Sequence, residues 1–459
     1  MTEINPSLLA TQLAAAYTQP TRTRLDAQAK SAQALSTALS KLQSALTTFE
    51  SALSSLSGTK GLVQYSASFS TPDYGSVSVS ATAQAGTYSL FVEQIATAHQ
   101  LAFQDLPAVS AASPGKLAVQ LADGTGFEVD FAAGDLNGDG TLSQSEIARA
   151  INLAPDNKGQ VTAMLVTTGG QTQLILSSAN TGEGGRITLD TGNLQDAGLK
   201  TVFDADTELT PAHDAIVWLG NKDTGIKLQQ ASNTFTAIPG VSMTFTKAMQ
   251  AGDASLTLTV TRDDSATTEN VRRFVDAFNT LNKTLDSLTA AGNPQEGVAA
   301  SAFASDAGVR ALRNSLNSII REEFDGLRLM DFGISADRYG VLSIDQSRLE
   351  KKLAEQPEAL NTLFGNTSLT ASSGLLGRLD KYLDSWLSST NGQIKRRRDS
   401  LQNIQDRINA RQARLDEQYS KAYERYLFQF TKLQALQSQM GQTMDMFASL
   451  TPFVMTSGR

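Results

Sequence analysis

The hydrophobic residues near the N-terminus of this chain follow a seven-residue repeat. Between residues 24 and 56 they advance alternately by four and three positions, which aligns them in one narrow stripe along a helix. The stripe consists of Leu35, Leu39, Leu42, Leu46, Phe49, Leu53 and Leu56. Because such a stripe is stable only when another apolar surface covers it, the pattern predicts that this helix pairs with a second one.

Residues 391–450 carry a second stripe with helical spacing. Its members are Ile394, Leu401, Ile404, Ile408, Leu415, Tyr419, Ala422, Tyr426, Phe430, Leu433, Met440 and Met444. We predict that the two terminal helices pair as an antiparallel coiled coil or helical bundle, with the rest of the chain inserted between them. The residues expected to make the contact on the C-terminal side are Ile404, Ile408, Leu415, Tyr426, Phe430 and Leu433.

The two ends of the chain look less stable than the stripes. Residues 1–24 contain few large apolar side chains and are interrupted by Pro20, so we expect them to be disordered until a partner binds. The C-terminal tail is rich in Met and Phe. We expect it to pack on a partner or on the N-terminus.

The central part of the chain alternates apolar and polar residues with a period of two, which predicts β-strands. These strands are expected at 63–69, 77–83, 86–92, 127–131, 161–166, 173–176, 187–189, 215–219, 241–245 and 256–260. Only residues 143–152 predict a helix within this block. After residue 264 the helical period returns, with helices expected at 271–288, 307–323, 346–353 and 375–387.

This order predicts an α+β multidomain protein in which N- and C-terminal helices form an antiparallel leg and β-rich head domains are inserted. The predicted domains are an N-terminal coiled-coil leg (1–60), an inner β head (61–98 and 235–265), an outer β head (99–234), a helical leg domain (266–390), and a C-terminal coiled-coil helix with its tail (391–459).

Composition narrows the range of partners. With 38 basic and 46 acidic residues the net charge is −8, which argues against a nucleic-acid partner, so a protein partner is expected. The chain has no cysteine and therefore no disulfide or thiolate chemistry. The N-terminal residues lack the basic and apolar segments of a secretory signal, and no apolar run is long enough to span a membrane.

Residues 135–146, with the sequence DLNGDGTLSQSE, match an EF-hand calcium loop at each ligand position. The expected ligands are Asp135, Asn137, Asp139, the carbonyl of Thr141, Ser143 and Glu146. Gly140 would permit the turn, and Leu142 would enter the core. A different interpretation is a polar turn before a helix with Ser143 as N-cap and Glu146 completing a capping box. Because a strand precedes the loop, a bound calcium ion would act as a structural clip.

Enzymatic chemistry finds little support in the sequence. His99 and His213 are far apart and lack ligand or triad spacing, so both are interpreted as ordinary structural residues. The basic run at residues 395–398 is interpreted as a solvated helix face that pairs with acidic neighbours.

Several stretches together resemble the flagellar hook-associated protein 2 family, which forms the filament cap of bacterial flagella. The most specific is IPGVSMTF at 238–245, followed by GDASLTLTVTRD at 252–263 and VRRFVDAFNTL at 271–281. Further similar stretches are GTYSLFVEQIA at 86–96, GISADRYGVLSID at 333–345 and YLFQFTKL at 426–433. The calcium-type loop is not part of this resemblance.

The resemblance implies a non-enzymatic ring of several copies at the flagellum tip that helps exported flagellin fold and insert and prevents its loss. It also implies export through the flagellar channel without a cleaved signal peptide, an export chaperone, and contacts with flagellin and hook-filament junction proteins. In this reading residues 1–24 and the tail grip and release the filament. A calcium-dependent surface adhesin that uses the β head is the alternative.

Overall fold

The structure, a computed structural model, describes residues 5–57, 61–250, 252–368 and 371–450. The chain divides into two compact units. The helical unit comprises Met1–Gly58 and Thr268–Arg459, and the β-rich unit comprises Thr59–Thr267. In chain order the β-rich unit is therefore inserted between the two parts of the helical unit, as the terminal stripes predict.

Helices form most of the helical unit. In the described part of the chain the α-helices are α1 (Pro6–Ser57), α2 (Gln144–Asn152), α3 (Ala197–Phe203), α4 (Asp264–Thr289), α5 (Ala307–Ile319), α6 (Gln346–Glu355), α7 (Ala359–Phe364), α8 (Gly374–Leu387) and α9 (Gln393–Leu450). Short 3-10 helices span Pro72–Tyr74, Phe131–Gly134, Glu183–Gly185, Pro294–Glu296 and Leu329–Phe332. Within the described residues, no helix combines the length and apolarity that a membrane crossing requires.

Strands form most of the β-rich unit, and the strand pairs described are antiparallel. The strands are β1 (Gln64–Phe69), β2 (Gly75–Val79), β3 (Gly86–Gln94), β4 (Ala98–Phe103), β5 (Val109–Ser110), β6 (Lys116–Leu121), β7 (Gly126–Asp130), β8 (Thr141–Leu142), β9 (Val161–Thr168), β10 (Gln171–Thr181), β11 (Ile187–Asp190), β12 (Thr207–Thr210), β13 (Ala215–Leu219), β14 (Ile226–Gln230), β15 (Thr234–Phe235), β16 (Val241–Phe245), β17 (Leu256–Asp263), β18 (Ile334–Ala336) and β19 (Leu342–Ile344).

The helical unit has an aromatic core. Phe49 of α1 lies edge-on to Phe278 of α4, with ring centroids 5.9 Å apart, and Phe274 meets Phe364 of α7 at 5.1 Å. Such edge-to-face pairs add to the burial of the rings themselves. Asn279, in the FVDAFNTL stretch, anchors β19 to α4 because its amide donates to the carbonyl of Leu342 and accepts from that residue's N–H.

The β-rich unit contains two hydrophobic cores. The inner core lies under a five-stranded sheet of order β1-β17-β3-β13-β14 and a three-stranded sheet of order β15-β16-β2. The outer core lies under sheets of order β12-β4-β10-β9 and β11-β6-β7 and includes side chains of α2 and α3. In this core Phe203 lies edge-on to Phe103, with ring centroids 5.2 Å apart, and stacks on Phe131 at 6.1 Å.

The first helix is longer than predicted. α1 starts at Pro6 and runs through Pro20, so the expected disorder of residues 1–24 is wrong for the part that is described, and the first four residues lie outside the described chain. Ala10, Ala14 and Thr18 are buried there, and the hydroxyl of Thr18 donates to the carbonyl of Ala14. Packing against α9 supplies the apolar contact that the sequence lacks locally.

Two assignments in the β-rich unit also differ from the prediction. α3 is a second helix in a block where only residues 143–152 predict one, since a seven-residue helix is too short for a clear helical period. Residues 215–230, expected in the outer head, form β13 and β14, and β13 pairs with β3 of the inner sheet. Pairing of strands so distant in sequence leaves no local signal.

Candidate functional site

α1 and α9 pack against each other along most of the length of α1. Their direction is antiparallel, because Arg22 lies 3.1 Å from Asp416 while Arg398, earlier in α9, donates to the side chain of Gln43, later in α1. These two contacts fix the register of the helices. By that register the first turn of α1 lies opposite about residue 433 of α9.

The predicted stripe of α1 as far as Leu46 lies along this pairing. Phe49 packs instead on Phe274 and Phe278 of α4, and by the register Leu53 and Leu56 lie beyond the first residue of α9. Leu39, Leu42, Leu46, Phe49, Leu53 and Leu56 are buried, and Leu35 is half-buried. Steps of seven extend the buried set toward the N-terminus through Ala32, Leu25 and Thr18. The sequence prediction missed this extension because Ala and Thr are not recognisable as seam residues by hydrophobicity, although their spacing continues the repeat.

The predicted residues of α9 fall into two groups. Ile408 and Leu415 are buried, and Ile404, Tyr426 and Phe430 are half-buried. Leu433 is 42% exposed and lies opposite the first turn of α1, at the end of the predicted pairing. The reason is geometric: α1 begins at Pro6, so the paired surface ends near Leu433.

Beyond that point the seam of α9 continues without α1. Buried Ile394, Ile408, Leu415 and Ala422 are separated by multiples of seven, and the same phase reaches Leu436. The companion positions Tyr419 and Tyr426 lead in steps of seven to Leu433, Met440 and Phe447. We call Leu433, Leu436, Met440 and Phe447 the overhanging seam. The sequence prediction missed Leu436. Its place in the seam is seen only when its spacing is counted from the buried residues of α9, and the sequence alone does not show which residues those are.

The overhanging seam is exposed, with Leu436 at 54%, Met440 at 57% and Phe447 at 66%. Further exposed apolar side chains lie on the nearby part of the pair, namely Leu8, Leu13, Tyr17 and Phe428. A heptad seam of this kind is a docking surface for another helix, because each apolar side chain fits between side chains of a partner. Residues 451–459, including part of the Met- and Phe-rich tail, lie outside the described chain.

The calcium-type loop lies between β7 and α2. The strand β7 and the short 3-10 helix Phe131–Gly134 lead into it, where a regular EF-hand has an α-helix, and the strand agrees with the sequence pattern. Both carboxylate oxygens of Asp135 accept backbone N–H bonds, from Gly138 at 2.8 Å and Gly140 at 2.9 Å. Leu142 is buried in the outer core, and β8 pairs with β5, so the end of the loop is anchored.

Hydrogen bonds hold the loop's other carboxylates. The hydroxyl and backbone N–H of Thr141 lower the pKa of Asp139, and the N–H and hydroxyl of Ser143 lower that of Glu146. Glu146 and Ser143 form the capping box of the alternative interpretation. Among the described residues, no three His, Cys, Asp or Glu side chains converge closely enough to hold a metal ion as the structure stands.

The two histidines occupy structural positions. Nδ1 of buried His99 accepts the N–H of Ile187 at 3.0 Å, and its Nε2 lies 3.0 Å from a carboxylate oxygen of Glu208. His213 is half-buried, and its carbonyl accepts the N–H of Thr97. Each histidine is therefore part of the framework of the β-rich unit.

Terminal helices with a partly exposed seam, and a β-rich unit inserted between them in the chain, are typical of a structural protein with a helical pairing surface. Two sequence models of one protein family match this chain and identify its family. The model described as the Flagellar hook-associated protein 2 N-terminus matches residues 2–99, and the model of the C-terminus of the same protein matches residues 212–442. This chain belongs to the flagellar hook-associated protein 2 family.

Individual relatives agree with this membership. The chain is 35% identical to the Lateral flagellar hook-associated protein 2 of Vibrio parahaemolyticus, over 97% of this chain and 100% of the relative. It is 29% identical to the B-type flagellar hook-associated protein 2 of Pseudomonas aeruginosa, over 88% and 86% of the two chains. A crystal structure of the flagellar cap protein FliD from Escherichia coli superimposes with a TM-score of 0.63 at 26% identity, covering 79% of this chain and 99% of that one.

Proposed function

We infer that this protein caps the tip of a bacterial flagellar filament as a structural subunit, where it promotes the folding and insertion of exported flagellin and prevents its loss. The observation that carries this function is the overhanging seam of α9 in a chain of the hook-associated protein 2 family. A similar solved structure is described as a flagellar cap protein. The names of the three relatives refer to flagella and none refers to adhesion.

The overhanging seam provides the grip on the filament. Full burial of one Leu, Met or Phe side chain stabilises a contact by about 1.5–3 kcal/mol. A few such side chains give binding that is firm in sum but reversible at each position. A cap must move forward as subunits are inserted beneath it, and contacts made by separate side chains can be exchanged one at a time.

The finer parts of this function are also proposals. We propose that several copies form a ring, that the protein lies outside the cell at the filament tip, and that flagellin and hook-filament junction proteins are its partners. Export through the flagellar channel without a cleaved signal peptide, assisted by a chaperone, completes the proposal. The absence of cysteine from the sequence is compatible with this route, because no disulfide has to form after export.

The decisive experiment places charges on the overhanging seam. A strain that lacks this protein is complemented with the chain carrying Leu436→Asp and Met440→Asp. The matched control carries Ser438→Asp and Gln442→Asp, which add the same charge to the same segment of α9 but on the opposite face of the helix. We expect the seam variant to release unpolymerised flagellin into the medium and the control to restore filaments.

The folded state of each variant is checked by its melting temperature, which should equal that of the unmodified chain because the seam residues are exposed. Normal filaments with the seam variant would contradict the role of the seam. Normal filaments in the strain that lacks the protein would contradict capping itself.

A further inference from the structure

The strand β9 lies at the edge of the outer four-stranded sheet, whose order is β12-β4-β10-β9. Its backbone groups point alternately toward β10 and toward the open side of the sheet. The side-chain amide of Asn152 donates to the carbonyl of Ala163 and accepts from its N–H, and Asn157 does the same for Val161. Residues 161 and 163 therefore face the open side, and the two asparagines cover that part of the edge.

The next two residues whose backbone faces the open side are Leu165 and Thr167, because the backbone of a strand repeats every two residues. On this side no described residue makes a hydrogen bond to the N–H or C=O of either one, since β9 pairs with β10 alone. On the solvent-exposed face of the same segment, Met164 is 45% and Val166 is 39% exposed. We call residues 164–168 the open edge.

The open edge lacks the features that normally keep sheet edges from pairing, which are charged residues, prolines and bulges. The edge strands β7, β12 and β14 each carry a charged residue, namely Glu128, Glu208 and Lys227. Residues 159–182, which include the whole β9–β10 hairpin, contain no charged residue and no proline, and the register of the hairpin is continuous. An uncharged edge with exposed apolar side chains is a surface to which another strand can be added.

We propose that the open edge pairs with the open edge of a second copy of this chain, in an antiparallel register centred on Val166. In this register the N–H and C=O of Leu165 bond those of Thr167 in the second copy, and the reverse, which gives four hydrogen bonds. The two Val166 side chains lie opposite each other, and Met164 lies opposite Thr168. The pairing has two-fold symmetry, so it joins copies in pairs, and it does not depend on the proposed capping function.

Charge and shape favour a second copy as the occupant of this edge. The β-rich unit contains 21 acidic and 10 basic residues, so contact between two copies is opposed least where both surfaces are uncharged. In the proposed register, Ala163 and the covering side chain of Asn152 meet Gly169 of the second copy, which has no side chain to collide with them. Four hydrogen bonds and a few side chains bury less area than a permanent dimer needs, so the pairing is reversible.

Because the chain has no cysteine, single cysteines can test this register in the full-length protein. Opposite residues of a non-hydrogen-bonded pair have Cα atoms about 4.5 Å apart, which is within the range of a disulfide. Val166→Cys should therefore form a disulfide-linked dimer under mild oxidation with copper phenanthroline. The matched control Thr168→Cys lies on the same face, but its two copies would be about 13 Å apart along the strands, so it should cross-link at least ten-fold more slowly.

A mixture of two variants tests the register itself. Met164→Cys and Thr168→Cys should each cross-link slowly when oxidised alone, and they should cross-link rapidly with each other when mixed, because residues 164 and 168 lie opposite. Val166→Lys, added to both members of this mixture, should slow the cross-link at least ten-fold, because it places like charges opposite each other. Thr162→Lys adds the same charge to the same face of β9 outside the open edge and should leave the rate unchanged.

Each variant should keep the melting temperature of the unmodified chain, because the substituted side chains are exposed. Equal cross-linking rates for Val166→Cys and Thr168→Cys would overturn the proposal, and so would a mixture that cross-links no faster than its two components. If Val166→Cys does not cross-link with itself but Val166→Lys prevents filament formation, the open edge binds a different partner, and pairing between copies is wrong.

Discussion

Arg397 connects several parts of the helical unit through one side chain. Its guanidinium binds both carboxylate oxygens of Asp306, the N-cap of α5, and lies over the rings of Trp386 and Phe303. The side chains of Arg397 and Asp306 are each 25% exposed. The basic run at 395–398 is therefore not simply a solvated face, although Lys395 pairs with Asp399 at the surface.

The ion pair between Arg397 and Asp306 should stabilise the protein less in acid than at neutral pH. Arg397 lowers the pKa of Asp306 below its ordinary value of 3.8, so the unfolded chain binds protons more readily than the folded one. The pair's contribution is present above pH 3.8 and disappears as the pH falls through the lowered pKa. Asp306→Asn should keep the N-cap and lower the free energy of unfolding by about 1–2 kcal/mol at pH 7, with the difference shrinking toward pH 2.

Urea unfolding at pH 7, 4 and 2 measures this difference. Glu417→Gln is the control, because Glu417 also has a lowered pKa but pairs with Lys421 on the surface of α9. Exposed pairs of this kind contribute little, so the control should leave the free energy of unfolding essentially unchanged at every pH. A deficit in Asp306→Asn that stays constant down to pH 2 would mean that the charge of Asp306 is not responsible.

At the scale of elements, the seam of α1 varies in how deeply it is buried. Leu46 is fully buried in the middle of the seam, whereas Leu35 is half-buried and borders a groove lined by Leu401 and Ile404 of α9. Leucine thus occupies both a fully buried and a half-buried position of the same repeat. Sequence spacing alone treats the two positions as equivalent.

We predict that Leu46→Ala lowers the free energy of unfolding by about 2–5 kcal/mol, because it removes buried methyl groups and leaves a cavity. Leu35→Ala should lower it by only about 1 kcal/mol, because this half-buried side chain loses less contact on truncation. Chemical denaturation of the two variants under identical conditions gives the comparison. Equal losses would show that burial along the seam is uniform in solution.

Elements with a long periodic pattern were predicted well from sequence. The helices α5, α6, α8 and α9 lie where their apolar spacing indicates, to within a few residues. The helix α4 is also where the spacing indicates, but it begins at Asp264, before the first apolar residue of its stripe. The short elements α3 and α7 were missed, and so were the strands β4 and β6. Short elements are stabilised mainly by the residues they pack on, which lie elsewhere in the sequence.

At the scale of the whole molecule, the two units have separate hydrophobic cores. The helical unit is organised around Phe49, Phe274, Phe278 and Phe364. The β-rich unit contains the inner and outer cores of its own sheets. Separate cores allow each unit to unfold in its own transition.

We therefore expect two transitions in differential scanning calorimetry of the full chain. Leu46→Ala should lower only the transition of the helical unit, and Phe103→Ala should lower only that of the β-rich unit, by more than about 5 °C. A single transition that moves in full with either substitution would show that the two units unfold together.

The candidate sites were predictable to different degrees. The ligand residues of the loop 135–146 are encoded locally, so the sequence identified each of them, but whether calcium binds stays a prediction. The seam of α1 was equally evident from its repeat. The overhanging seam was only partly predictable, because its exposure depends on where α1 begins and on the register set by Arg22 and Asp416.

The sequence by itself determined the family, the α+β class, the heptad stripes and the ligand pattern of the loop, because each is written in spacing between neighbouring residues. Tertiary structure decided that residues 6–24 are helical, that β13 and β14 belong to the inner sheet, and that Leu433 marks the end of the paired surface. These features depend on contacts between residues that are far apart in the sequence, and such contacts exist only once the chain has folded.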